Sequence, residues 1–155
     1  GYVEPYRGAI TEQPLWPRGA QLAFDKESHS STVVVIELGA NDALEDEPAD
    51  LFEHRLRSVI NTIRAEGRIP VVTSVPAIPD VGGWFSGRVQ ERLDQINATT
   101  IAVARQMGVA NARWDTVPFA GVADTIDTVH RTQASSALLA ARLAETIAAI
   151  LPHCQ

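Results

Sequence analysis

Thr32-Val33-Val34-Val35-Ile36-Glu37-Leu38 is an apolar run closed by Gly39, and it predicts a buried strand. The period then changes. Leu51, Phe52, Leu56, Val59, Ile60 and Ile63 recur at helical spacing. Asp50 and Glu53 supply an acidic helix start, and Gly67 with Pro70 beyond it supplies the stop. Ile69–Ser74 is a second short apolar run. Pro76-Ala77-Ile78-Pro79 leads into a glycine-rich loop around Trp84. A helix is expected from Arg88 to Met107, burying Val89, Leu93, Ile96, Val103 and Met107 and ending at Gly108. Val109–Trp114 reads as a third strand. The last helix spans Gln133 to Leu151, with Leu138, Leu139, Leu143, Ile147 and Ile150 turned inward and Pro152 as its stop. Residues 1–30 resist such a reading. Pro5, Pro14 and Pro17, with Gly1, Gly8 and Gly19, interrupt any long element. A short helix over Pro17–Lys26 with Leu22 and Phe24 partly buried, then a polar loop Ser28-His29-Ser30-Ser31, is the expectation there.

Strand and helix alternate three times, which is the rhythm of a parallel sheet with helices on both faces. Continuous apolar strands agree with burial on two sides. The fold class is therefore α/β, a three-layer α/β/α parallel sheet. Such sheets bind ligands beyond the carboxyl ends of their strands. The 155 residues make a single domain, 1–155, with no repeat and no low-complexity tract.

Composition removes several functions. Thirteen Lys and Arg against nineteen Asp and Glu give a net charge of -6, the wrong sign for a phosphate backbone, so nucleic acid is not an expected partner. No apolar run approaches the length of a membrane span. Glu45-Asp46-Glu47 reads as solvated surface. Cys154 is alone, so no internal disulfide forms; in an exported protein it could pair outside this segment. His29, His54, His130 and His153 show no ligand spacing, and neither a metal nor a cofactor is expected. Without a phosphate-cradling glycine loop, a nucleotide or flavin binder ranks last. The compartment stays open, with a lean towards an extracytoplasmic one.

Two motifs carry the chemistry. Gly39-Ala40-Asn41-Asp42 ends the first strand, where a side-chain amide can donate into the crevice. Asp127-Thr128-Val129-His130 precedes the last helix. Alone, the first reads equally well as a turn, and the second as a loop acid with a surface histidine. In this order, each after its expected element, they resemble the G-x-N-D and D-x-x-H blocks of the SGNH (GDSL-like) hydrolase superfamily. The resemblance runs over roughly Thr32 to Leu151.

That resemblance implies a flavodoxin-like fold and an esterase, lipase, deacetylase or O-acyltransferase activity. His130 would be the general base, Asp127 would orient it, and Asn41 would donate an N–H to the oxyanion. These roles suit the residue types. Imidazole titrates near working pH, a carboxylate behind it fixes its tautomer, and a neutral amide stabilises an oxyanion. For the family's oxyanion glycine, Gly8 is the first choice and Gly19 the second. The expected substrate is a small-molecule or carbohydrate ester. Trp84 and Phe85 could line its pocket or cover the core edge, Trp16 and Trp114 read as core, and Arg131 could bind an anionic substrate or stay solvated.

One block is missing from view. The family's first strand ends in G-D-S and carries the nucleophile, and no serine here matches it. Ser28, Ser30 and Ser31 lie in a polar loop, Ser74 lacks the flanking residues, and Ser135 and Ser136 read as caps of the last helix. The nucleophile is therefore expected upstream of Gly1. The chain would then be N-terminally incomplete and lack its first strand, and a separate N-terminal peptide could complete the sheet. A non-catalytic domain that binds a glycan or a protein partner is the rival reading.

Overall fold

The computed structural model describes residues 31–44, 48–79, 87–128 and 130–151. Strand β1 (Val33–Glu37) is followed by a short helix α1 (Ala40–Leu44) and a long one, α2 (Ala49–Ala65). Then come β2 (Ile69–Thr73), α3 (Gly87–Met107) and β3 (Ala110–Ala112). Two 3-10 turns, Trp114–Thr116 and Gly121–Asp124, lead into α4 (Gln133–Ile150). The described strands are parallel and adjacent in chain order, β1-β2-β3, with Val35 opposite Val71 and Val71 opposite Ala110.

The layers follow from which faces are apolar. Helix α2 turns Phe52, Leu56, Val59, Ile60 and Ile63 onto one face of the sheet. Helix α3 adds Val89, Leu93, Ile96 and Val103, and the two meet Val34, Ile36 and Val72 in the larger core. On the opposite face, Leu139 of α4 packs with Ala112, Trp114 and Val117. The result is the three-layer α/β/α arrangement. Gly67 and Gly108, at φ +73° and +61°, turn the chain from α2 into β2 and from α3 into β3. Arg64, in the last turn of α2, donates to the carbonyls of Met107 and Gly108, tying the ends of α2 and α3 together.

Several expectations need correction. Helix α2 begins after Pro48, with no side-chain cap; Asp50 lies inside the first turn and Glu53 pairs with Arg57. The first strand is Val33–Glu37 and is not buried on both sides: Val34 and Ile36 are buried, whereas Val35 is 38% exposed. Among the described helices, α4 packs on β3, while β2, in the middle, is buried from Pro70 to Thr73. The third strand stops at Ala112, because the backbone tightens into the turn at Trp114. Trp114 is core, as its Nε1–H donates to the Leu139 carbonyl. Helix α4 is capped by Thr132, not by Ser135 or Ser136: the Thr132 hydroxyl accepts from the Ser135 amide. Its buried leucine is Leu139; Leu138 is 48% exposed, and Leu143, Ile147 and Ile150 are half-buried. The expected helix over residues 17–26, Trp16, Trp84, Phe85, Glu45–Glu47, His29, His153 and Cys154 lie outside the described residues.

Candidate active site

Parallel strands point their carboxyl ends the same way, so the segments that follow β1, β2 and β3 share one edge of the sheet. Asn41 lies at that edge, in the first turn of α1. Gly39 makes this turn possible: its φ of +118° suits glycine, and its carbonyl accepts from the Ala43 amide at 3.0 Å. Asp42 is completely buried. Arg92 of α3 donates to the Ala43 carbonyl at 2.6 Å, fastening α1 to the larger core.

The end of β2 is fastened twice. The Asn97 amide reads both backbone groups of Val75, accepting from its N–H at 2.7 Å and donating to its carbonyl at 3.0 Å. The Ser74 hydroxyl is fully buried, donates to the Asp115 carboxylate and accepts from the Asp115 amide. Arg113 forks onto the same carboxylate at 2.8 and 2.6 Å. That fork holds the Asp115 carboxyl below its ordinary pKa; burial opposes it and the Ser74 hydroxyl adds to it. Ser74 thus ends a strand at the right edge but is bound up in a structural clamp.

Asp127 and His130 come together on a closed loop. Thr125 bridges Arg131, the Ile126 amide donates to the His130 carbonyl at 2.8 Å, and the Thr132 amide donates to the Asp124 carbonyl at 2.8 Å. Asp127 fixes both parts of one residue. Its Oδ1 accepts from the His130 amide at 2.7 Å, and its Oδ2 stands 2.6 Å from His130 Nδ1. Both side chains are open to solvent, 71% exposed for His130 and 53% for Asp127. Thr128, between them, has a φ of +70°.

Arg131 is half-buried and not a solvated side chain. Its guanidinium donates to the Ser135 hydroxyl at 2.7 Å and to the Ala77 carbonyl at 2.9 Å, and lies 4.1 Å from the centre of the Phe119 ring. Burial lowers its pKa, while the charge of Asp124 works the other way. Ala77 follows β2, so this contact draws the loop carrying the pair back from β3 towards the middle of the sheet. Sequence reasoning missed Arg92, Asn97 and the Arg113–Asp115 fork. Only Asn97 left a signal, as an amide beside the apolar face of a helix. Gly8 and Gly19 lie outside the described residues.

A model of the GDSL-like Lipase/Acylhydrolase family matches residues 4–138. Solved structures agree in fold. A lipase/acylhydrolase from Enterococcus faecalis has a TM-score of 0.74 at 22% identity, over 96% of this chain and 75% of that one. A GDSL-like lipase from Bacteroides thetaiotaomicron has a TM-score of 0.70 at 21% identity, over 93% and 73%. A catalytic mutant of an acetylxylan esterase from Geobacillus stearothermophilus has a TM-score of 0.67 at 16% identity, over 90% and 68%. No curated protein matches the sequence.

Proposed function

The chain belongs to the GDSL-like lipase/acylhydrolase family, and from that premise we propose that it is a serine esterase acting on a small acyl group, acetyl first, carried by a carbohydrate. The observation that carries this reading is the Asp127–His130 pair, 2.6 Å apart at the carboxyl edge of a parallel sheet. With Nδ1 engaged by Asp127, Nε2 of His130 is the ring nitrogen left for chemistry. It takes the proton of a serine hydroxyl as the oxygen attacks the acyl carbon. The carbonyl π pair moves onto the oxygen, and the oxyanion accepts from the Asn41 side-chain N–H, a glycine N–H assigned to Gly8 and the serine's own N–H. His130 then gives its proton to the leaving alcohol. Water repeats the sequence on the acyl-enzyme and releases the acid.

Among the described residues, Ser74 and Ser135 are buried and hydrogen-bonded, Ser58 and Ser136 lie on outward faces of helices, and Ser31 precedes β1, at the amino edge of the sheet. The attacking serine is therefore sought outside them. The openness of the pair suits a bulky alcohol approaching from solvent. The acetylxylan esterase that shares the fold supports the choice of acetyl and carbohydrate.

The test is release of p-nitrophenol from its acetate ester by the intact natural protein. His130→Ala is expected to lower kcat at least about 1,000-fold. Asn41→Ala is expected to lower it about 100- to 1,000-fold. Activity indifferent to His130→Ala would remove the base from the mechanism and the reading with it.

A further inference from the structure

We propose that Arg131 is a positioning residue, bracing the Asp127–His130 loop against the segment after β2 so that the imidazole keeps its place; the proposal rests on the esterase reading above. The pair does not hold itself. Both side chains face water, which competes for the hydrogen bond between them, so that bond contributes little on its own. The loop is also strained: Thr128 is β-branched and sits at φ +70°, a conformation that persists only when the surroundings enforce it.

The enforcing contacts converge on the next residue along from His130. The backbone of Arg131 closes the loop against Thr125. Its side chain reaches three separate segments: Ala77 after β2, Phe119 between the 3-10 turns, and Ser135 in the first turn of α4. Two oxygens in different directions and one ring face suit a planar guanidinium. A lysine ammonium is a point charge on a flexible stem and does not present that fork. The half-buried brace is thus joined by a single peptide bond to an exposed base.

The experiment compares Arg131→Met and Arg131→Lys with the wild type in the intact natural protein. Both variants are expected to lose about 10- to 100-fold in kcat on p-nitrophenyl acetate, as misplacement by about 1 Å does. KM is expected to stay within about twofold, because substrate contacts are untouched. Failure of Arg131→Lys to restore the rate separates the fork from mere charge. A second readout does not depend on activity. In wild type the carbon-bound ring protons of His130 are expected as one sharp set of resonances, and in Arg131→Met they broaden by exchange between loop positions while the Tm stays within a few degrees. A wild-type kcat and an unchanged ring resonance in Arg131→Met overturn the brace, and the esterase reading still stands if His130→Ala is inactive. If His130→Ala keeps full activity the esterase reading falls, and the ring resonance alone decides the brace. Should Arg131→Met not fold, Ser135→Ala and Phe119→Leu each remove one anchor. Both are expected to lower kcat, and wild-type rates in both overturn the proposal.

Discussion

Gly39 shows how one residue sets the position of another. A Cβ at this site would lie 2.5 Å from Ile96 Cγ2 and 3.2 Å from Val75 Cγ2, on a backbone already at φ +118°. Strain and overpacking act together, so Gly39→Ala is expected to cost about 3 kcal/mol in urea denaturation. The same change in an Ile96→Ala background should cost less, because the shortest contact is gone and only the approach to Val75 and the φ strain remain. A cost under about 0.5 kcal/mol in wild type would mean that the close approach is unimportant. At this scale the sequence was informative where spacing was local. Asp127 and His130 are three residues apart, and one carboxylate can reach both the amide and the ring of the same partner. Arg131 was opaque, because its carbonyl anchor on Ala77 lies 54 positions away.

At the scale of elements, legibility depended on how unevenly apolar residues are spread. In α2 the large residues fall on one stripe against polar neighbours, and the expected set is buried except Leu51, which is half-buried. Helix α4 reads Gln-Ala-Ser-Ser-Ala-Leu-Leu-Ala-Ala-Arg-Leu-Ala-Glu-Thr-Ile-Ala-Ala-Ile, with small residues all round. Adjacent leucines in such a helix cannot both face inward. The choice falls to a distant partner: the Trp114 indole donates to the Leu139 carbonyl and packs against that side chain. Leu139→Ala is expected to destabilise by about 2–3 kcal/mol. Leu138→Ala should stay within about 0.5 kcal/mol. Chemical denaturation of the two variants measures the difference, and equal costs would contradict the packing described for α4. Strand ends were read less well than strand centres. The third strand, Ala110–Ala112, is shorter than the expected Val109–Trp114, because Trp114 leaves the strand to fill the second core.

For the whole molecule, the clamp of Ser74, Asp115 and Arg113 joins the end of β2 to the turn after β3, and it is sensitive to pH. An acid held below its ordinary value of 3.8 stabilises the fold fully above that value. The contribution is lost as pH falls through the lower value of the folded state. Asp115→Asn is expected to cost about 1–2 kcal/mol at pH 7, where a charged hydrogen-bond acceptor is removed. Between pH 7 and 2 the wild-type melting temperature should fall more steeply than that of the variant, so that the two curves converge in acid. Parallel curves in a circular-dichroism melt series would show that Asp115 is not the titrating group. The layered architecture was legible from the alternation of strand and helix, whereas this clamp was not, since Ser74 and Asp115 are 41 positions apart.

The bridge between Thr125 and Arg131, backed by the bond from Thr132 to Asp124, has one more consequence. It makes the segment carrying Asp127 and His130 a cassette with its two mouths stitched together. Such a cassette moves or is exchanged as one piece, with Arg131 as its tie to the segment after β2, so acid and base would travel together through any later remodelling of the rim.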